Sequence, residues 1–501
     1  MLYLGKNFVN SEFYGNFAAF MNKKITKSCN IIMSVLVGIA IFLFWYLAYP
    51  HALSYQEQYQ LFLWTGDYFV ERVSLPGGLA DWLGEFIVQF YYIEWLGALL
   101  LALLYVALQR LSARLLPNKL WWLSILPVLL VLWLMGDINV LLSLPVAIVL
   151  ALTLACFMPK RFKWIDIIAL PIAYWLIGPI VWIYVLVRAV QLGWKHFWTA
   201  GWLLAVQLMV YAWLLPQWPL QQAMTGLNYY RIPLHYPQLS GYDKDMYELI
   251  RMDYLVRNER WDDIVKRAGE YQVQTPFWSN CVNLALAEKR LLADRMFDFY
   301  QSGEDALIMP RTRDLTSMLP SAEAFWRLGM VNSAQRYMFD TQESILNGRK
   351  SGRCTKRIAE CMIVNGHYKT AEKQLNLLKK SLFYRSWAES VEASQYEKQR
   401  KLRYKENFLY SYEEIDKMFG LLFMNNQENK MALDYFMAQM LLKGNIQGFQ
   451  QNMGAVKQYG GYRQMPLGYQ DVMRCIQMQG RVSDSPFAKY AQRMMERRIG
   501  Q

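Results

Sequence analysis

The sequence predicts an all-α chain in two parts: N-terminal polytopic transmembrane helices over residues 1–215, then a C-terminal α-helical repeat domain over 240–501. Three observations predict it. The first 215 residues are dominated by Leu, Ile, Val and Trp in uncharged runs of spanning length. The remainder mixes Lys, Arg, Glu and Asp with apolar residues in nearly every helix-length window. Glycines punctuate that remainder at intervals of one or two helix-pair units.

Taken in order, Lys23, Lys24 and Lys27 precede a first uncharged run, 31–49, which stops at Pro50. At about 1.5 Å per residue it reaches across a hydrocarbon core of about 30 Å. A secretory signal has a shorter apolar region, so an uncleaved first helix is expected. A second span, 85–108, is closed by Arg110, Arg114 and Lys119. A third, 120–135, turns at Gly136-Asp137-Ile138-Asn139, and a fourth, 140–158, meets Lys160, Arg161 and Lys163. The stretch 165–194 is broken by Pro171 and by Gly178-Pro179. It is either one kinked helix or a hairpin with arms 165–177 and 180–194. The last span is 199–215.

Basic residues in short loops mark the cytoplasmic side. The N-terminus, 109–119 and 159–163 are basic, whereas 136–139 holds only Asp137. If Gly178-Pro179 is a hairpin tip, Arg188, Lys195 and His196 join the basic side and seven spans result. The expected placement is then a bacterial inner membrane with a cytoplasmic N-terminus and an extracytoplasmic C-terminal domain. A single kinked helix gives six spans and returns that domain to the cytoplasm.

The outer amphipathic loop, 50–84, is unusual for its acids. Asp67 and Glu71 are four apart, as are Asp81, Glu85 and Gln89, with Pro76-Gly77-Gly78 between the sets. On helices each set makes one polar edge of an otherwise aromatic surface. Such acids either point to water from a headgroup-level helix or line a polar cavity. Asp67, Glu71, Asp81 and Glu85 are therefore the candidate catalytic residues.

The chain carries 53 Lys and Arg against 40 Asp and Glu, a net charge of +13, and most of the excess lies beyond residue 215. Acids are interspersed with the bases, which fits a solvated surface beside a bilayer, and nucleic acid is not expected as a partner. The six cysteines form no CxxC pair and stand at no metal spacing from the four histidines, so buried free thiols are expected. No phosphate loop, zinc motif, nucleophile elbow or dinucleotide fingerprint occurs, and the sequence points to no cofactor and no metal. Asp243-Lys244-Asp245 reads as the start of the first helix of the second part, not as an ion site.

The clearest repeat unit runs from Arg357 through Gly366 and Tyr368 to Ala371 and beyond, with Ala359 at a small packing position. The same grammar recurs at 322–338 around Gly329, and more weakly at 254–271 (turn near Glu259), 283–300 and 432–453 (turn at Gly444). A further turn falls at Gly480. The pattern resembles the tetratricopeptide repeat, a helix–turn–helix of about 34 residues, although Phe449 stands where an alanine belongs. The segment 388–415 reads as a polar helix or linker.

As a whole the chain resembles an uncharacterised bacterial family of multi-pass membrane proteins. The resemblance rests on Tyr55-Gln56-Glu57-Gln58-Tyr59-Gln60, Asp67-Tyr68-Phe69, Leu75-Pro76-Gly77-Gly78, Gln89-Phe90-Tyr91-Tyr92 and Tyr174-Trp175-Leu176-Ile177-Gly178, together with the helical units. It implies architecture and no established activity. Two functions are compatible with the residues. One is a non-enzymatic envelope protein whose helical repeats bind another protein. The other is a transferase acting on a polyprenyl-linked sugar, with Asp67 as base or metal carboxylate and Glu71 or Asp81 beside it.

Overall fold

The computed structural model describes residues 28–161, 163–214, 224, 241–311, 316–345, 349–404, 414–478 and 484–499. Among them there are helices and no strand. The chain divides into two compact units, 1–243 and 244–501. The expected turn at Gly480 lies outside the described residues.

In the first unit α1 spans Ser28–Ala48, an uninterrupted apolar helix whose last turn, Phe44–Ala48, widens to π-helical geometry. Pro50 then opens α2 (Pro50–Gln58), a position where its missing N–H costs nothing. Thr65 caps α3 (Gly66–Val73) by accepting the Tyr68 amide. Gly77, at φ 83°, turns the chain into α4 (Gly78–Val88).

The stretch expected as one span, 85–108, is two elements. α4 ends at Val88, a tight turn occupies 89–92, Ile93 is extended, and α5 (Glu94–Leu115) starts afresh. The Tyr91 ring seats on Gly97, where an added Cβ would lie 2.7 Å from it. Helix α5 also runs on past the expected end and includes Arg110 and Arg114. Four shorter apolar helices follow: α6 (Ile125–Leu134), α7 (Ser143–Phe157), α8 (Asp166–Ile177) and α9 (Trp182–Leu192). α10 (Trp198–Leu214) closes the series. Pro171 sits inside α8 without ending it, and the break falls at Gly178 (φ 84°). Asp166, at the start of α8, bonds Tyr184 and Arg188 on α9, so the stretch is a hairpin and not one kinked helix.

Polar side chains tie neighbouring helix ends together. Ser34 near the start of α1 donates to Gln109 near the end of α5 at 2.6 Å, and Gln109 donates to Ser124, just ahead of α6, at 2.8 Å. In the turn after α6, Asn139 and the Val140 carbonyl accept from Tyr55 and Gln56 of α2. Small residues let the backbones close up. Ala147, Ala151 and Ala155 form a buried stripe on α7, and Gly84 of α4 packs against the Ser143 backbone.

The second unit is built from helical hairpins. Its helices begin α11 (Lys244–Arg257), α12 (Trp261–Glu270), α13 (Pro276–Glu288), α14 (Leu292–Arg295), α15 (Leu319–Leu328), α16 (Val331–Glu343), α17 (Gly352–Val364) and α18 (Tyr368–Leu378). Next come α19 (Arg385–Ser390), α20 (Glu397–Leu402), α21 (Ile415–Asn425), α22 (Lys430–Lys443), α23 (Ile446–Tyr459), α24 (Leu467–Gln477) and α25 (Pro486–Ile499).

Five of the turns between these helices share one design. Glu259, Arg290, Gly329, Gly366 and Gly444 all have φ between 55° and 84°. After each, the next amide reaches back five residues: Arg260 to Leu255, Leu291 to Leu286, Met330 to Phe325, His367 to Met362 and Asn445 to Met440, at 2.7–2.9 Å. This is the Schellman closure, which satisfies carbonyls that a helix end otherwise strands. The following helix starts within two residues of the left-handed position. Ala322, Ala334, Ala359 and Ala371 are fully buried where paired helices touch, and Phe449 instead packs edge-on against Tyr469 at 5.2 Å.

Candidate functional site

The acidic loop is the first place to look for chemistry, and its four candidates differ in exposure. Thr65 starts α3 so that Asp67 and Glu71 lie on its outer edge, and both are exposed. On α4, Asp81 is half-buried and Glu85 is buried. Glu71 and Glu85 both lie within ion-pair distance of Arg72, at 3.7 and 3.0 Å, and Asp81 acts on the same guanidinium. Along the α4 edge, Glu85 and Gln89 turn inward and Asp81 is half-buried.

Glu85 is held by two residues outside the four candidates. Tyr68 donates its hydroxyl to the Glu85 carboxylate, and the Arg72 Nε donates to the same oxygen at 3.0 Å. The Arg72 guanidinium also lies over the Tyr68 ring, 4.9 Å from its centre. All three side chains are buried, so the carboxylate charge is matched where water does not reach it. Gln89, the third member of the i,i+4 set, accepts from the Trp64 indole at 3.1 Å. Phe62, Trp64, Phe69, Trp82 and Phe86 surround the hairpin with ring centres 5.2–5.9 Å apart. Helix α2 behind them is polar yet buried, including His51, Gln56, Glu57 and Gln58.

The α8–α9 hairpin repeats the arrangement with the order of its parts reversed. Tyr184 and Arg188 are again four residues apart on one helix, and both bond Asp166 on the other. His196 adds a contact to Asp166 Oδ2 at 2.6 Å, and Arg188 also donates to the Pro159 carbonyl. A Tyr-x-x-x-Arg spacing that occurs once in each hairpin is the signal that would have found both clusters.

The two hairpin turns touch. The Gly77 amide donates to the Trp175 carbonyl at 2.8 Å, and the Trp175 indole donates to the Val73 carbonyl at 2.9 Å. An added Cβ at Gly77 would sit 3.4 Å from the Gly178 Cα. Two hairpins, each clamped by a Tyr–Arg–carboxylate group, thus meet at their tips.

In the second unit, ion pairs link several of the helices, most of them buried. Arg353 pairs with Asp253 at 2.6 Å, Arg357 with Glu323 at 2.9 Å and with Glu360 at 2.6 Å. Arg327 reaches both Glu259 and Glu288. Burial opposes ionisation of Glu323, but Arg357, Arg353 and Arg327 outweigh it and hold its carboxyl below the usual range. Burial pushes the Cys354 thiol up to about 11, which fits a packed thiol and not a nucleophile. Elsewhere burial raises the Asp434 carboxyl to about 6, although Arg290 and Tyr462 both bond it. A groove of about 680 Å³ lies between the 297–300 segment and α25, with Phe297 and Tyr300 at its base and Lys489, Gln492 and Arg493 along one wall. Among the described residues no three His, Cys, Asp or Glu side chains stand together as a metal site.

No curated protein and no solved structure matches the chain. A family model does, over residues 24–500, which takes in both Tyr–Arg–carboxylate hairpins and all five Schellman turns. The chain therefore belongs to that family, a family of unknown function, DUF6057.

Proposed function

We propose that this is a polytopic inner-membrane protein whose second unit is a tetratricopeptide-like platform, outside the cytoplasm, that binds another protein of the cell envelope. The observation that carries the platform reading is the set of five hairpins closed by the same turn, because stacked helix pairs present extended grooves to partners. The groove lined by Phe297, Tyr300 and Arg493 is the place where such a partner would seat.

The membrane reading draws on α1 and α5, apolar helices of 21 and 22 residues that reach about 30 Å at 1.5 Å per residue. It draws also on the way polar ties sort between helix ends. Asn30, Ser34, Gln109 and Ser124 cluster at the end that the basic loops mark as cytoplasmic, while Tyr55, Gln56 and Asn139 cluster at the other. α8 and α9, of 12 and 11 residues, reach only about 17 Å. We read them as a re-entrant hairpin whose backbone is covered by protein. α3–α4 enters from the other side to meet its tip. That replaces two of seven spans by one hairpin and leaves the second unit on the same side.

Photo-crosslinking residues placed at Lys489 and Gln492 of the full-length protein in its own cells test the platform. The expected result is one shared crosslinked protein from both positions and none from the exposed control Glu428. Absence of any adduct at both groove positions, in protein that is folded and membrane-integrated, contradicts it.

A further inference from the structure

Between α1 and α5 runs an apolar groove of about 490 Å³. Ile31, Val35 and Ile39 form one wall, Leu103 and Val106 the other, and Arg110 is the one charged residue that lines it. The groove exists because Gly38 lets the helices close up beside it: a Cβ there would lie 3.1 Å from Val106.

Arg110 is exposed, and no carboxylate pairs with it among the described residues. Its neighbours are already satisfied. Gln109 is bonded to Ser34, Asn30 and Ser124, and Arg114, one turn on, lies over the Phe157 ring. A solvated cation thus stands on an apolar groove, and Ile32, Leu36 and Leu43 of the same α1 helix are also exposed. An ion that needs a counter-charge, joined to a slot that needs hydrocarbon, matches one molecule: a lipid with an acidic headgroup. A guanidinium offers paired N–H donors to phosphate oxygens, whereas a zwitterionic headgroup brings its own cation to compete.

We infer that the α1–α5 groove holds an acyl chain of an anionic glycerophospholipid whose phosphate is bonded by Arg110. This rests on the membrane reading above. The basic end of the groove places the lipid in the cytoplasmic leaflet.

The test uses full-length protein reconstituted into vesicles of phosphatidylcholine and phosphatidylglycerol, released into mild detergent and weighed by native mass spectrometry. The wild type is expected to retain phosphatidylglycerol in preference to phosphatidylcholine. Arg110→Gln should lose that preference by about tenfold, the worth of one charge-assisted hydrogen bond, and Arg110→Lys should keep part of it. Arg114→Gln, outside the groove, should change nothing. Ile39→Trp, which fills the slot, should lower retention of both lipids. Wild-type protein that retains the two lipids equally, or an Arg110→Gln protein that keeps the wild-type preference, overturns the inference. Vesicle flotation after carbonate extraction separates the two failures. Protein that floats without lipid preference removes only the lipid site, and protein that fails to float removes the membrane reading with it.

Discussion

Gly77 and Trp175 hold the two hairpin turns of the first unit together: the glycine amide donates to the tryptophan carbonyl at 2.8 Å. The Trp175 side chain returns a bond to Val73, 102 residues away in sequence. The adjoining turn has no room for a side chain, since a Cβ on Gly78 would fall 1.9 Å from the Arg72 carbonyl oxygen. Gly78→Ala should therefore destabilise the protein by about 3 kcal/mol, the upper end of over-packing costs. Gly201→Ala, where nothing lies within 4 Å, should be neutral or slightly stabilising. Thermal unfolding in detergent compares them.

Arg72 and Glu85 are buried together, as are Arg188 and Asp166. Removing one member leaves an unmatched buried charge, so Arg72→Met and Arg188→Met should each cost about 3–5 kcal/mol. The double variant Arg72→Met with Glu85→Leu should recover most of that loss. A double variant as unstable as the single would show that the pair does more than cancel charge. Urea titration of the detergent-solubilised protein reads both.

The Schellman turns give a prediction of opposite signs for one substitution. Gly366 has φ 78° and open space around its Cβ position, so Gly366→Ala carries only the backbone cost of the left-handed region, about 1–2 kcal/mol. Gly454 lies inside α23 with equal space and no positive φ, so Gly454→Ala should stabilise by about 1 kcal/mol. Equal effects at the two sites would contradict the turn assignment.

These turns also mark what the sequence makes legible. Gly329, Gly366 and Gly444 are readable because glycine is the residue a left-handed helix end favours. Glu259 and Arg290 adopt the same conformation without a glycine: the turn near Glu259 is still legible from the helix-pair pattern, and the one at Arg290 is not. Their side chains pair with Arg327 and Asp434, contacts 68 and 144 residues distant that no local pattern encodes. The acidic loop follows the same rule. Its i,i+4 spacing places Glu85 on a helix edge, but whether that edge faces water depends on Arg72 across a turn, and on what packs behind. The run 85–108 reads as one span because hydropathy is blind to the Tyr91–Gly97 contact that divides it.

Asp434 sets a pH dependence with a definite sign. Its folded carboxyl titrates at about 6, above the unfolded value near 3.9, so the folded state holds the proton longer. Its contribution is most favourable below pH 4, falls between pH 4 and about 6 by about 3 kcal/mol, and is level above that. Glu323 acts in the other direction, stabilising above its unfolded pKa and losing that contribution as pH falls through its lowered folded value. Subtracting the stability profile of Asp434→Asn from that of the wild type should isolate a loss between pH 4 and 6. A flat difference would contradict the assignment.

On the proposed function, a polytopic membrane unit displays the helical unit outside the cytoplasm. Labelling of introduced cysteines with a membrane-impermeant maleimide in intact spheroplasts tests it most directly, in a background where Cys29 and Cys156 are serine and the protein with only the buried Cys281, Cys354, Cys361 and Cys475 sets the baseline. Glu428→Cys reports on an exposed turn of the second unit, and Lys119→Cys on the basic turn after α5. Glu428→Cys is expected to be labelled in intact spheroplasts, and Lys119→Cys only after the membrane is opened. Protection of Glu428→Cys until the membrane is opened, together with Lys119→Cys, would contradict it.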